Sequence, residues 1–469
     1  MADDTRTPDD DAPEDPARSN AAATETSAET PAERADSSVA APADRDVQPP
    51  AGSGPGAPGG GPPSTTRSEA PRADRGEWYR AALLPILAVV TALAVGAILI
   101  IFTNDAASYA WARAFRHPGT ALSTSWTAVH DSYYALFSGA FGSPTVIWHA
   151  LRSGELAQIQ SALSPISETL VTATPLILVG LAVSLGFRGG LFNIGAEGQM
   201  NIGALFASAA GFSMTWLPGP AHVVVVILAG FLGGAVWGAI PGWLKAKTGA
   251  HEVITTIMLN FVATGLVLYM LSTSFFKQQA EPVAKPVVVA FPHLFGASLR
   301  VHLGFVFALA VAGAVGWLLN RTTVGFEFRA VGANPDAARA AGMNPARTTI
   351  AVMTLSGAIA GLGGANQLLS VTPSLLPGFA SGLGFDGIAI ALLGRAKPWG
   401  VVLASLLFGA LRTGGRSMQA ITQTPIDIIT VIQAFVIAFI AAPALVRAIY
   451  RIRERRAFGP DQFAKGWGG

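Results

Sequence analysis

Apolar runs of membrane-spanning length recur along most of this chain, separated by short polar stretches. A helix needs about 20 apolar residues to cross the hydrocarbon core of a bilayer. Such runs lie at 81–102, 168–187, from within 193–201 to 216, 222–244, 252–272, 303–319, 348–369, 399–411 and 426–446. Pro175 predicts a kink in the second. A further run, 382–394, is too short for a perpendicular crossing. It predicts either a half-helix buried in protein or a span completed by its flanks. The pattern therefore predicts an all-α polytopic membrane protein with about ten transmembrane helices, within a range of eight to ten. Residues 104–165 are expected outside, with one or two short interfacial helices. Residues 274–302 are also expected outside, with a short strand at 287–291.

Positive charge orients the chain. Arg72, Arg75 and Arg80 precede the first run, and Lys245, Lys247, Arg321, Arg329, Arg339, Arg347, Arg395 and Lys397 mark inner loops. Arg447, Arg451, Arg453, Arg455 and Arg456 follow the last run. Excess Lys and Arg on the cytoplasmic side places both termini inside the cytoplasmic membrane of a bacterium. Arg412 and Arg416 fall on the outer side and strain this topology.

One stretch breaks the apolar pattern: Arg188-Gly189-Gly190-Leu191-Phe192-Asn193-Ile194-Gly195-Ala196-Glu197-Gly198-Gln199-Met200-Asn201. Unpaired polar groups in hydrocarbon cost several kcal/mol each. Asn193, Glu197, Gln199 and Asn201 must therefore face protein, water or a passing solute. Two readings stand side by side: a tightly packed helix start with internal hydrogen bonds, and a wall of a translocation pathway. The same choice applies to Asn366 and Gln367 in the seventh span. It applies also to Asp386, which is expected to cap the short segment, pair with Arg416 or bind solute. Glycines at 230, 234, 238 and 242 form one stripe, so a neighbouring helix can approach closely.

Composition sharpens the class. The chain has 469 residues, 51% of them hydrophobic and 13% charged, where soluble domains carry about 25% charged. The absence of cysteine excludes disulfides, thiolate metal sites and a cysteine nucleophile. No metal site, catalytic constellation or nucleic-acid partner is expected, so the chain is not read as an enzyme. Residues 1–77 hold 16 Asp and Glu against 7 Lys and Arg, and the rest of the chain holds 13 against 24. The body is basic, as suits loops at an anionic lipid surface. The acidic Pro-, Ala- and Gly-rich residues 1–77 read as a disordered cytoplasmic tail. Residues 78–449 form the transmembrane domain, and 450–469 a basic cytoplasmic tail.

The long inner loop 320–347 carries Gly332, Asn334, Pro335, Asp336, Ala337, Ala338 and Gly342. Asn334 is suited to cap a helix with Pro335 at its first position, and Gly342 to stop it. The result is a short, Ala-rich helix able to seat in a groove of another protein. Asp336-Ala337-Ala338-x-x-x-Gly342 resembles the coupling loop of ATP-binding-cassette importer permeases, with Asp in place of Glu. Phe192-Asn193-Ile194-Gly195-Ala196-Glu197-Gly198-Gln199 is similar to the signature of the branched-chain amino acid and monosaccharide importer group. Within that group it is most like the nucleoside branch, which works with a basic-membrane-lipoprotein-like receptor. Gly384-Phe385-Asp386-Gly387 through Gly394, and Ala173 through Leu181, also resemble that branch. The resemblance covers about residues 165–446.

The resemblance implies a type II importer architecture. Two permease subunits, identical or homologous, surround one pathway. A cytoplasmic ATP-binding subunit docks on the 334–342 helix, and an extracytoplasmic substrate-binding lipoprotein delivers the solute. The chain has no Gly-x-x-x-x-Gly-Lys-Ser/Thr, so ATP is expected on the partner and no cofactor on this chain. Nucleosides or nucleobases are the expected cargo, with a sugar or other small solute as the alternative. A second class of reading is a gradient-driven secondary transporter with Glu197 or Asp386 as proton carrier.

Overall fold

The computed structural model describes residues 77–451, apart from 279, 280 and 297. The tail expected at 1–77 and the basic end expected at 450–469 lie almost wholly outside the described residues. Among the described residues the protein is helical, with no strand and two isolated bridges. Six helices are long and apolar enough to cross a membrane: α1 (Glu77–Thr103), α5 (Leu156–Arg188), α7 (Gly219–Thr248), α8 (Glu252–Ser272), α9 (Leu303–Arg321) and α12 (Pro345–Ser370). The other expected spans are also helices: α6 (Ala196–Ser213), α13 (Leu383–Leu393), α14 (Pro398–Thr422) and α15 (Asp427–Ala441). Shorter pieces are α2 (Asp105–Trp111), α4 (Pro144–Ser153), α10 (Thr323–Ala333), α11 (Pro335–Ala340) and α16 (Pro443–Ile449).

Several boundaries differ from the sequence expectation, each for a physical reason. Residues 104–165 hold not only short helices but α3 (Pro118–Phe141), 24 residues long. Its small residues let it seat on α14: a Cβ on Gly414 would collide with the Leu136 carbonyl, and one on Gly139 with Ser417. α5 starts 12 residues before the expected 168, and both Pro165 and Pro175 lie inside it. α14 runs past Leu411 to Thr422, because Arg412 and Arg416 find polar partners on neighbouring helices. The inner loop gains α10, capped by the Thr322 hydroxyl, which accepts from Gly325 N–H at 3.0 Å. No strand forms at 287–291. That run is extended and gives its N–H groups to the carbonyls of Pro373, Gly211 and Leu369 instead. It packs along helix ends rather than pairing with a strand.

Two helices occupy the centre. α5 is buried almost continuously from Ala173 to Gly186, and α12 from Ser356 to Ala365. α7 lies against α12 through the predicted glycine stripe. A Cβ on Gly230 would sit 2.6 Å from the Ala365 Cβ, and one on Gly238 2.5 Å from the Met353 carbonyl. Side chains on Gly234 or Gly361 would strike the facing helix backbone directly. Membrane helices gain little from excluding water, so close backbone approach supplies the dispersion contact instead. A second apolar cluster joins α1, α3 and α15 through Ala88, Ala92, Leu136, Ile432 and Val436.

The outer segment before α9 closes on His302, which is 1% exposed and stacked 6.1 Å from the Phe291 ring. Burial, with the charges of His293 and Arg300 nearby, lowers the His302 pKa from 6.5 to about 4. The folded protein thus holds this imidazole neutral, while the unfolded chain protonates it near pH 6.5.

Two outcomes follow. Gly234→Leu or Gly361→Leu should lower the thermal midpoint in detergent and cost roughly 1–3 kcal/mol or more. Val236→Leu, at a position 56% exposed, should be close to neutral in the same assay. The His302 contribution is complete above pH 6.5 and is lost as pH falls toward 4, up to about 3 kcal/mol. Thermal unfolding followed from pH 7 to pH 4 should lose this acid sensitivity in His302→Phe.

Candidate functional site

The polar stretch after α5 forms a re-entrant turn rather than a continuous span. Leu191 N–H returns to the Gly186 carbonyl at 2.9 Å, and Gly190 takes φ +71°, which suits glycine. Asn193 is fully buried at the hub of this turn. Its Nδ2 donates to Gln199 Oε1 and to Ser356 Oγ, each at 2.8 Å, and its Oδ1 accepts from Gly195 N–H at 2.9 Å. Ser356 in turn donates to the Ala182 carbonyl at 2.6 Å. Asn260 on α8 accepts from Gly198 N–H at 2.9 Å and donates to the Ile194 carbonyl at 3.0 Å. Asn193 and Asn260 thus satisfy a non-helical backbone that lipid could not, and Gln199 and Ser356 hold Asn193 in place.

α6 then meets the N-terminus of α13. Gly382, at φ +77°, offers α13 no side-chain cap, and Glu197 supplies one from α6. Its Oε1 accepts from Gly382 N–H at 3.1 Å. Gly384 makes room, since a Cβ there would fall on the Glu197 backbone. A carboxylate at a helix N-terminus is favoured by the free N–H groups and the dipole. Glu197 therefore stabilises a helix other than its own. The 11-residue α13 ends where Arg188 Nε donates to the Ala396 carbonyl at 2.8 Å, level with the inner end of α5. Eleven residues of helix span roughly 16 Å, about half the hydrocarbon thickness of a bilayer. It is the buried half-helix that the sequence allowed.

Asp386, in the first turn of α13, pairs with Arg412 of α14 rather than with Arg416, and it does not cap α13. Arg412 and Arg416 line a cavity of about 240 Å³ between α5, α12, α13 and α14. Glu168, Thr172 and Gln367 complete its polar wall; Pro175, Val371 and Phe379 add apolar surface. Glu168 accepts from Arg300 at 3.1 and 3.2 Å. Arg416 Nη2 donates to Thr172 Oγ1 at 3.1 Å. Gln367 Oε1 is buried without a hydrogen-bond partner among the described residues.

α11 forms as its sequence suggests. Asn334 Oδ1 accepts from Asp336 N–H and Ala337 N–H, each at 3.0 Å, and Pro335 occupies the first turn. Met343 N–H reaches the Ala338 carbonyl and Gly342 N–H the Arg339 carbonyl, a Schellman closure with Gly342 at φ +85°. Ala338 is buried, whereas Asp336, Ala337, Ala340 and Ala341 are exposed. The helix stands out from the body on a small apolar face. Just before it, Gly332 packs on the re-entrant turn, where a Cβ would lie 2.6 Å from the Arg188 carbonyl.

The polar residues singled out from sequence thus separate into three groups. Asn193, Gln199 and the buried Asn201 lie in the helix core. Asn366 is also in the core, donating to the Gly304 carbonyl at 3.1 Å. Glu197 and Asp386 position the half-helix. Gln367 faces the cavity. Glu168, Thr172, Arg300, Arg412 and Arg416 were not expected there. Their signal was present as acids and arginines in apolar helices, above all the pair at 412 and 416, which the topology alone treated as misplaced charge.

Comparison with known proteins agrees with this architecture. Residues 166–443 match the family described as branched-chain amino acid transport system / permease component. The chain is 34% identical to the guanosine ABC transporter permease protein NupP of Bacillus subtilis, over 78% of this chain and 95% of that protein. It is 35% identical to the nucleoside ABC transporter permease protein NupB of Lactococcus lactis subsp. cremoris, over 61% and 81%. It is 39% identical to the glucose ABC transporter permease protein TsgB13 of Haloferax volcanii, over 59% and 75%. No solved structure matches the chain. With more than half its length matched by one family and most of its length shared with such permeases, the chain belongs to the branched-chain amino acid transport system / permease component family.

Proposed function

We propose that this chain is the membrane-spanning permease subunit of an ATP-driven importer of nucleosides, with the type II arrangement of two permease subunits around one path. The observation that carries the reading is α11: a capped, exposed, Ala-rich helix seated by Gly332 on the re-entrant turn that leads to the cavity. The nucleoside cargo draws support from relatives named for guanosine and nucleoside transport. The relative named for glucose keeps a sugar as the second choice. The cavity's mix of amide, hydroxyl, guanidinium and one aromatic ring suits hydroxyls and base edges.

The mechanism follows from the contacts. An ATP-binding subunit docked on α11 pushes Gly332 against the Arg188–Gly190 backbone. That turn is rigidly tied to α6 through Asn193 and Gln199. α6 holds the N-terminus of α13 through Glu197, and α13 holds Arg412 through Asp386. Displacement at the inner face therefore moves a charged wall of the cavity. An external lipoprotein delivers the solute, and both termini of this chain lie in the cytoplasm. A gradient-driven mechanism has less support, because both carboxylates expected to carry protons are engaged in this structural chain.

Co-purification from mild detergent should yield an associated ATP-binding subunit whose hydrolysis is stimulated by loaded binding protein. Ala337→Phe should abolish that association and reduce uptake at least tenfold while leaving the thermal midpoint of the permease unchanged. Retained association and uptake in this variant would overturn the docking assignment. Asp386→Ala should keep the ATP-binding subunit but lower uptake at least tenfold, because it leaves the Arg412 charge unpaired. Asp386→Ala with Arg412→Met should recover part of that loss, since removing both partners leaves no orphan charge.

A further inference from the structure

We propose that Arg416 is the specificity-determining residue of the cavity, admitting neutral or anionic solutes that offer a hydrogen-bond acceptor and turning back cations. The inference rests on the reading of this cavity as part of the solute path. Its basis is the local charge balance. Four ionised side chains line the space: Glu168, Arg300, Arg412 and Arg416. Arg300 is matched by Glu168 at 3.1 Å, and Arg412 by Asp386 from behind the wall. Arg416 faces no carboxylate within ion-pair distance among the described residues, and its one hydrogen bond goes to the Thr172 hydroxyl. That hydroxyl already accepts from Thr413 Oγ1 at 3.1 Å, so it offers Arg416 little further compensation.

A guanidinium stays charged at any physiological pH and presents five N–H donors in a planar fork. One donor is used here, and the side chain is exposed toward the cavity. Charged groups within membrane helices face cavities or partners and mark solute paths. A fixed, unmatched positive charge in a confined space raises the cost of any cation, as arginines do in other selective pores. The unused donors favour carbonyl, hydroxyl or ring-nitrogen acceptors. Gln367 is a further polar residue of the lining, though its Oε1 is buried. The class of ligand is thus a neutral or anionic solute with hydrogen-bond acceptors.

The chain contains no cysteine, which permits a direct charge test. Ser381→Cys places a thiol at an exposed position on the cavity wall. In the assembled transporter, modification by an anionic methanethiosulfonate (the sulfonatoethyl reagent) is compared with modification by a cationic one (the trimethylammonium-ethyl reagent). Each rate is normalised to that reagent's rate with free cysteine. The expected result is about a tenfold preference for the anion, the scale of one unit charge acting across a partly wet site. Arg416→Gln should remove the preference, and Arg416→Lys should retain it. Equal normalised rates with Arg416 present, or a preference unchanged in Arg416→Gln, would overturn the assignment. Because the bias is read without transport, absent nucleoside uptake would count against the cargo and leave this measurement decisive for Arg416.

Discussion

The contact on which the interior depends is the Glu197 carboxylate at the N-terminus of α13. A bilayer supplies no water to satisfy the free N–H groups that open a helix. A helix too short to cross the bilayer must therefore find its acceptor inside the protein. Glu197 provides it, and Gly384 lets the two helix starts come close enough for the bond to form. Once that helix start is held, Asp386 is aimed at Arg412, and Arg412 can sit at the edge of a cavity with its charge matched.

The same constraint explains the buried polar side chains around the re-entrant turn. Asn193, Gln199, Asn260 and Ser356 are spent on a turn whose backbone has no helical partner. They are polar because the turn is polar, and none of them lines the cavity. The residues that do line it come from four helices and two loops spread over the sequence from Glu168 to Arg416. Structural polarity and cavity polarity thus occupy separate layers, joined by Glu197 and Asp386.

Close glycine packing completes the design. α7 and α12 touch backbone to backbone, and Gly332 touches the 188–190 turn in the same way. Contacts without side chains are stiff, having no rotamers to absorb a displacement. Stiffness between α11 and the re-entrant turn is what a mechanically driven permease needs if a push at the cytoplasmic face is to reach the cavity.

Local pattern was enough to read the helical class and a helix at each expected span, though not the bounds of α5 and α14, the length of α3, or the break between α15 and α16. It was also enough for the glycine stripe on α7 and for the cap and stop of α11, since each depends on residues only a few positions apart. The family resemblance lay in the same short motifs. Tertiary structure decided which carboxylate caps which helix, which arginine Asp386 meets, and which polar groups reach the cavity. Glu197 and Gly382 are 185 residues apart, and Asp386 and Arg412 are 26 apart on different helices. Arg412 and Arg416 illustrate the limit: in sequence they are charges on the wrong side of a membrane, and only packing supplies the partners and the cavity that make their positions tolerable. No periodicity encodes such pairings, because they arise from how helices of similar apolar character come to lie side by side.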